Sequence, residues 1–156
     1  MVAENALPVS FCAATIPATY ALTCGWPSER GPTSSHGVKP EAVVQRQLDA
    51  YNARDLDALL SVYADDAEVF EFPSKLVARG SAQLRERFAP RFREPNLHAQ
   101  LRHRVVVGST VIDHECVTRT FPDGPGELDL VMIYEVAGQR IAKAWSIPGD
   151  KRLLAP

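Results

Sequence analysis

Three segments of the chain carry apolar residues at every third or fourth position, which predicts three helices. The first begins at Pro40, a residue that suits the first helical position, and is expected to run to about Ala53. The second follows Asp55, whose carboxylate is expected to cap its N-terminus. The third opens at Gly80 and is expected to bend or stop early at Pro90, because proline cannot donate the helical hydrogen bond. The apolar stripes are Val44, Leu48 and Tyr51 in the first helix, Leu56, Leu59, Leu60 and Tyr63 in the second, and Leu84, Phe88 and Phe92 in the third.

Alternating apolar and polar positions elsewhere in the chain predict strands. One strand follows the second helix, and the others fill the second half of the chain. Their predicted ranges are 67–72, 97–107, 110–120, 128–136 and 140–147. Helices followed by a run of antiparallel strands predict an α+β fold, in which a curved antiparallel sheet packs on three N-terminal helices. Such a sheet, closed by helices, forms a cone-shaped pocket, and pockets of this kind are the usual small-molecule sites.

The two central strands are joined by Gly108 and Ser109, a two-residue link that suits a tight hairpin. Pairs counted outward from this turn place His103 opposite His114, on an apolar face that also carries Leu101. The other face has two pairs of opposite charge, Arg104 with Asp113 and Arg102 with Glu115. Opposite charges across a ladder are typical of a solvated face, so the histidine face is predicted to point inward. A slip of one residue would exchange the two faces.

The first 38 residues have a different composition from the rest of the chain. They contain three charged residues (Glu4, Glu29, Arg30) and four prolines, with no sustained helical or strand period. We interpret residues 1–38 as a poorly ordered N-terminal extension, 39–150 as the domain and 151–156 as a C-terminal tail. A signal peptide fits poorly, because the start lacks Lys and Arg and Pro17 interrupts the apolar run.

Composition narrows the classes of function. A chain of 156 residues fits the size of one domain, and its net charge of −2 does not favour nucleic acid or anionic lipid as a partner. No stretch approaches the roughly 18 apolar residues that span a bilayer. The three cysteines suit neither a disulfide framework nor a metal site, so we expect a cytoplasmic protein with no metal and no cofactor. Cys12 and Cys24 could still pair under oxidising conditions.

Glu71 is the first candidate for chemistry, because it lies at the end of a predicted strand between Phe70 and Phe72. Loss of water around a carboxyl raises its pKa toward the range that suits a general base. Alternatively, Glu71 is a strand-end carboxylate in water or paired with Arg79. The opposed histidines are equally open to two interpretations, as a proton donor to a ligand or as a neutral pair in the core.

Residues 40–148 carry a set of superfamily markers: the helix end Tyr51-Asn-Ala-Arg-Asp55, the run Leu59-Leu-Ser-Val-Tyr63-Ala-Asp-Asp-Ala67-Glu-Val69, Gly80, and Ala144-Trp145-Ser146. With these markers the chain resembles the superfamily of nuclear transport factor two, ketosteroid isomerase, scytalone dehydratase and the SnoaL-like polyketide cyclases. The resemblance implies the cone-shaped α+β fold and a homodimer formed through the outer face of the sheet. Members include enzymes and transport adaptors, so the fold alone does not settle function.

The resemblance also implies roles for single residues. By similarity to ketosteroid isomerase, Glu71 takes the place of the general-base aspartate, Tyr63 belongs to a hydrogen-bond network and Trp145 lies in the pocket. The oxyanion-hole tyrosine corresponds to Gln47, a supporting tyrosine to Phe88, and the oxyanion-hole aspartate to Val131 or Met132. The base is kept while the donors that stabilise an enolate are lost, which argues against steroid isomerisation itself. A SnoaL-like cyclase is an equally good analogue.

Two functions from different classes follow. The first is a cofactor-independent acid–base enzyme, of isomerase or cyclase type, that acts on a small hydrophobic enolisable molecule. Its predicted catalytic residues are Glu71, His114 and His103, and its predicted substrate-binding residues are Tyr63, Phe88, Leu101, Met132 and Trp145. The alternative is a ligand-binding or dimerisation module of the same fold without catalysis. The arginines of the third helix, at 85, 87, 91 and 93, are interpreted as its solvent-exposed side.

Overall fold

A computed structural model describes residues 37–154 of the chain as three helices and six strands. In chain order they are α1 (Pro40–Ala53), α2 (Leu56–Ser61), β1 (Tyr63–Glu71), β2 (Lys75–Arg79), α3 (Gly80–Arg91), β3 (His98–Val107), β4 (Thr110–Phe121), β5 (Gly124–Ala137) and β6 (Arg140–Leu153). The strands form one open sheet in the order β2-β1-β6-β5-β4-β3. The predicted α+β class is confirmed, but the sheet is mixed, because β1 pairs with β6 in parallel. The predicted extension lies outside the described residues except for its last two positions.

The helix boundaries follow the local chemistry that the sequence shows. Pro40 occupies the start of α1 and Glu41 lies in the first turn, where a negative charge is favourable. Arg54 ends this helix in the left-handed conformation, with φ of 58°. Asp55 then caps α2, since its carboxylate accepts a hydrogen bond of 2.9 Å from the amide of Ala58. Both predicted helix starts are therefore confirmed.

Four elements differ from the prediction, and one of them is β5, which begins at Gly124 instead of at residue 128. Tyr63 belongs to β1 and pairs with Ile141, because α2 ends after only six residues. Strand β2 was not predicted at all. Strand β6 continues to Leu153, so that residues 151–153 pair with β5 instead of forming part of a tail. The differences at Tyr63 and at the end of β6 arise from pairing between segments far apart in the chain, whereas β2 pairs with its neighbour β1 in a local hairpin; periodicity within one segment reveals neither.

The hairpin of β3 and β4, at one edge of the sheet, has the predicted turn and register as far as the pair of His103 with His114. Beyond this pair a β-bulge at Arg102 shifts the register, so that Leu101 lies opposite Glu115. The prediction of which face points inward is wrong. Asp113 is fully buried and Glu115 is 4% exposed, whereas His103 is exposed and His114 is half-buried. The charged face is the inner one because α1 covers it, as the hydrogen bond from Arg104 Nη1 to Gln45 Oε1 at 2.8 Å shows.

The core lies between the inner face of the sheet and the helices. Its fully buried side chains come from all parts of the domain: Val43 and Val44 in α1, Leu59 in α2, Leu84 in α3, and Val111 and Ile141 in the sheet. Tyr63 and Tyr134 are also buried, with their rings in this layer. The packing holds the helices over one end of the sheet and thereby fixes the walls of the cavity described next.

Candidate active site

A cavity of about 230 Å³ lies among side chains of the inner sheet face and of α1 and α3. An apolar cavity of about 150 Å³ in another protein binds benzene, so this one has room for a substituted ring. Its lining residues are Gln47, Leu48 and Tyr51 from α1, Arg87, Phe88 and Arg91 from α3, and Tyr63, Val69, Glu71, Glu115, Val117, Arg119, Leu128, Leu130, Met132, Tyr134, Ser146 and Pro148 from the sheet.

Glu115 is the buried acid of this cavity. It points inward from β4, with Leu101 opposite on β3 and Leu130 opposite on β5. Its Oε1 is buried and has no hydrogen-bond partner within residues 37–154. Burial and, to a smaller extent, the charge of the nearby Asp113 raise the pKa of its carboxyl to about 7, against the opposing effect of Arg104. A carboxyl with such a pKa exchanges a proton at neutral pH, which suits general acid–base chemistry.

Asp113 and Arg104 form a buried ion pair beside Glu115. Arg104 donates from Nε to Asp113 Oδ1 at 2.7 Å and from Nη2 to Oδ2 at 2.6 Å, which is bidentate geometry. The hydrogen bonds from Arg104 to the Asp113 carboxylate raise the pKa of Arg104. The pair fixes a negative charge two residues from Glu115 on the same face of β4, and this charge contributes to the raised pKa of Glu115.

Three tyrosines supply neutral hydrogen-bond donors to the same cavity. Burial raises the pKa of Tyr51, Tyr63 and Tyr134, so that their phenols stay protonated at neutral pH. The Tyr134 hydroxyl donates to Gln47 Oε1 at 3.2 Å, which orients both side chains. Donors of this kind can stabilise negative charge that develops on a carbonyl oxygen during proton transfer.

Three arginines also line the cavity. Arg87 and Arg91 lie one turn apart on α3, and Arg119 comes from β4. Burial lowers the pKa of Arg87, and the positive charge of Arg91 lowers it further. The interpretation of Arg87 and Arg91 as solvent-exposed residues is therefore wrong. Arg85, in contrast, points outward and pairs with Asp57 at 2.6 Å.

Four of the eight predicted site residues line the cavity: Glu71, Tyr63, Phe88 and Met132. The side chain of Glu71 is 45% exposed, and its Oε1 lies 3.6 Å from Lys75 Nζ. It lies on β1 opposite Ser146 of β6, another lining residue. Glu71 is thus a carboxylate of the cavity mouth and does not have the enclosed position that the sequence predicted.

The other four predicted residues do not line the cavity, which corrects their expected placement. His103 and His114 stack with ring centroids 6.0 Å apart on the outer face of the sheet. Trp145 stacks on Phe70 at 5.5 Å on that same outer face, because it pairs across β6 and β1 with an outward residue. Leu101 points inward but packs against the core.

Glu115 was missed because its expected partner suggested a solvated side chain. It was expected to face Arg102 across the hairpin, and the bulge removes that pairing. The sequence did contain one signal. Asp113 and Glu115 lie at alternate positions with Val111 and Val117, which are buried, and therefore on the face of β4 opposite to His114. Two acids that lie on the same face of a strand as buried apolar residues point toward the interior and indicate a polar site there.

Residues 37–154 include no helix that is long and apolar enough to cross a membrane. The same part of the chain holds no cluster of three or more His, Cys, Asp or Glu side chains arranged to bind a metal ion. The cytoplasmic location inferred from the cysteines stays a prediction.

An open mixed sheet that, together with the helices, encloses a cavity lined by a buried acid is the architecture of the nuclear transport factor two-like fold. The chain belongs to the SnoaL-like domain family, whose sequence profile matches residues 44–144. The resemblance predicted from the sequence is confirmed. None of the curated proteins is similar to the chain in sequence.

Solved structures agree with this fold. An uncharacterized cystatin-fold protein from Novosphingobium aromaticivorans is 28% identical, with a TM-score of 0.66, over 71% of this chain and 99% of that one. SalBIII, an epoxide hydrolase/cyclase-like enzyme in pyran-ring formation of the polyether salinomycin, is 16% identical with a TM-score of 0.67, over 74% of this chain and 95% of that one. A hypothetical protein from Catenulispora acidiphila with a ketosteroid isomerase-like fold, in complex with trimethylamine, is 16% identical with a TM-score of 0.60. The match covers 70% of this chain and 85% of that one.

Proposed function

We propose that the protein is a cofactor-independent acid–base enzyme, of isomerase or cyclase type, that acts on a small hydrophobic enolisable molecule. The observation that supports this proposal best is Glu115, a carboxyl on the inner wall of the cavity with a pKa of about 7 and an unbonded oxygen. Membership of the SnoaL-like family and the fold shared with SalBIII support the same class of chemistry.

In the proposed reaction, ionised Glu115 accepts a proton from a carbon next to a carbonyl group. The electron pair of the broken C–H bond forms the enolate, and its oxygen receives hydrogen bonds from Tyr51 and Tyr63, since the Tyr134 hydroxyl already donates to Gln47. Protonated Glu115 then returns the proton to a different atom, which gives isomerisation. Alternatively, the enolate carbon attacks an internal carbonyl carbon and closes a ring; the electron pair of that C=O bond moves to its oxygen, which takes the proton from Glu115. A pKa near the operating pH makes both directions of proton transfer accessible.

Glu71, the predicted base, takes a different part in this proposal. Its exposed side chain and its distance of 3.6 Å from Lys75 fit a position at the mouth, where it meets the incoming ligand. It also lies close enough to Arg87 to raise the pKa of that guanidinium. The proton-transfer role that the resemblance implied for Glu71 is therefore proposed for Glu115.

A deuterium-exchange experiment tests the proposal without knowledge of the natural substrate. One- and two-ring aryl ketones and 1,3-dicarbonyl compounds are incubated with the protein in deuterated buffer, and exchange next to the carbonyl is followed by NMR. We expect Glu115→Gln to slow exchange by about 10²-fold or more, the range for loss of a general base. Glu86→Gln, on the exposed side of α3, is the matched control and should retain wild-type exchange.

Each outcome of this experiment has a definite meaning. Full activity of Glu115→Gln together with loss in Glu71→Gln would return the base role to Glu71. No exchange of any compound by the wild-type protein would favour the alternative, a binding module without catalysis. Near-UV circular dichroism of each variant separates a lost proton transfer from a lost fold.

We further propose that the protein forms a homodimer through the outer face of the sheet. This face carries half-buried apolar side chains from four adjacent strands: Phe70, Ile112, Val131, Ile133, Trp145 and Ile147. Contiguous apolar surface of this kind is typical of protein interfaces. Light scattering after gel filtration should show a dimer for the wild type, a monomer for Trp145→Glu and a dimer for the control Leu154→Glu. A wild-type monomer at micromolar concentration would refute this proposal.

A further inference from the structure

The cavity carries more positive charge than its carboxylates balance. Arg119 pairs with Glu94, with 3.3 Å between Nη2 and Oε1. Arg87 and Arg91 take part in none of the ion pairs formed within residues 37–154, although both line the cavity. The carboxylates that line the cavity with them are Glu71 at the mouth and Glu115, whose pKa is raised to about 7.

The three guanidinium groups act on one another at short range. The charges of Arg91 and Arg119 both lower the pKa of Arg87, and both lower the pKa of Tyr51 as well. Three like charges held in one partly buried region are unfavourable unless an anion joins them. Long basic side chains normally extend their charged ends into water, and these three instead line the cavity.

Arg119 gives an independent sign that a ligand group is missing. Its Nε is buried and has no hydrogen-bond partner in the described part of the chain. A buried N–H without an acceptor is costly, so such groups in native proteins are usually satisfied by protein, water or ligand. The guanidinium fork matches a planar carboxylate, which accepts two parallel hydrogen bonds.

The remaining lining of the cavity is apolar. Phe88, Val117, Leu128, Leu130 and Met132 line the same cavity as the arginines and Glu115 and supply hydrocarbon surface there. Glu115 is almost fully buried, whereas Arg87 and Arg91 are partly buried, so the cationic region lies nearer to solvent than the acid. A ligand that satisfies all of these groups has an apolar body and one anionic end.

We propose that Arg87, Arg91 and Arg119 form a carboxylate-binding subsite, and that the ligand is a small, one- or two-ring apolar acid. The carboxylate is held by the arginines while the apolar body extends over Leu130 and Met132 toward Glu115. This inference rests on the proposed function only in making that ligand the substrate of proton transfer. The subsite itself would exist equally in a binding module.

Binding of matched probes tests the subsite. Benzoate and 2-naphthoate are compared with the neutral amides benzamide and 2-naphthamide by isothermal titration calorimetry at pH 8. We expect at least one acid to bind about tenfold more tightly than its amide, as charge-assisted bidentate hydrogen bonds are stronger than neutral ones. This preference should vanish in the double variant Arg87→Gln/Arg91→Gln and persist in Arg85→Gln, which changes the outward arginine of the same helix.

A second measurement does not depend on any variant that could fail to fold. The ¹H–¹⁵N signal of Arg119 Nε should shift on addition of the better acid to the wild-type protein, and the amide should leave it in place. Equal affinity for acid and amide, no binding of either acid, or a preference that survives the double variant would each overturn the subsite.

The outcome separates this inference from the proposed function. Carboxylate preference without deuterium exchange keeps the subsite and refutes the enzyme. Exchange on neutral ketones without carboxylate preference keeps the enzyme and refutes the subsite. In Glu115→Gln the preference for the acid should remain or increase, because a repelling negative charge is removed.

Discussion

Glu115 should make the folded protein less stable as the pH rises through neutrality. Its pKa is about 7 in the folded protein, against a reference value of 4.5 for the unfolded chain. Between these two values the unfolded chain releases the proton while the folded chain keeps it, so the free energy of unfolding falls as the pH rises. The contribution of this group to stability is therefore fully present below about pH 4.5 and is lost above about pH 7.

The magnitude follows from the two pKa values. They differ by about 2.5, and each pKa unit corresponds to about 1.4 kcal/mol, so the complete effect is about 3 kcal/mol. Most of it falls between pH 5 and pH 8. Over that interval we expect the wild-type protein to lose about 2–3 kcal/mol more stability than Glu115→Gln, which has no charge to desolvate at that position.

Urea unfolding of the full chain at pH 5, 6, 7 and 8 measures this difference. Titrating groups that do not interact with Glu115 contribute equally to both proteins, so their effects cancel when the two curves are subtracted, and the remaining difference reports Glu115 together with its coupling to Asp113. The exposed Glu86→Gln serves as control and should follow the wild-type curve. Parallel curves for wild type and Glu115→Gln would show that Glu115 is not desolvated and would remove the main support for acid–base chemistry.

Three further predictions concern packing and caps, each measured by urea unfolding at pH 7. Asp113→Asn leaves the charge of Arg104 buried without its partner and should cost about 3–5 kcal/mol, whereas Arg104→Met/Asp113→Leu should recover much of that loss; a cost below about 1 kcal/mol would contradict a buried pair. Asp55→Ala removes the cap of α2 and should cost about 1 kcal/mol, with Asp55→Asn close to wild type. Leu59→Ala, at a fully buried position, should cost about 2–5 kcal/mol, and equal loss from the half-exposed Leu56→Ala would refute the assigned helix face.

Features encoded by a few neighbouring residues could be predicted from the sequence. Pro40 and Asp55 start their helices as expected, since a first-turn proline and a capping carboxylate act within one turn. The hairpin at Gly108 is also as predicted, because a positive φ suits glycine at that turn position. The superfamily was also predicted from short runs of neighbouring residues, such as Tyr51–Asp55 and Leu59–Val69.

The site could be predicted only in part. Tyr63, Phe88 and Met132 were assigned to the pocket and do line it. The acid was assigned to Glu71, on the evidence of its aromatic neighbours in the chain. Those neighbours point away from the cavity, because adjacent residues of a strand lie on opposite faces, and Phe70 stacks on Trp145 outside.

The sequence alone determined the helices that start at Pro40, Asp55 and Gly80, the tight turn at Gly108, and the family. Only the tertiary structure decided which face of β3 and β4 is buried. One bulge at Arg102 and the cover of α1 over Asp113 made the charged face the inner one and moved both histidines outside. Burial is a property of what packs above a surface, and strand periodicity specifies two faces without saying which of them a distant helix will cover.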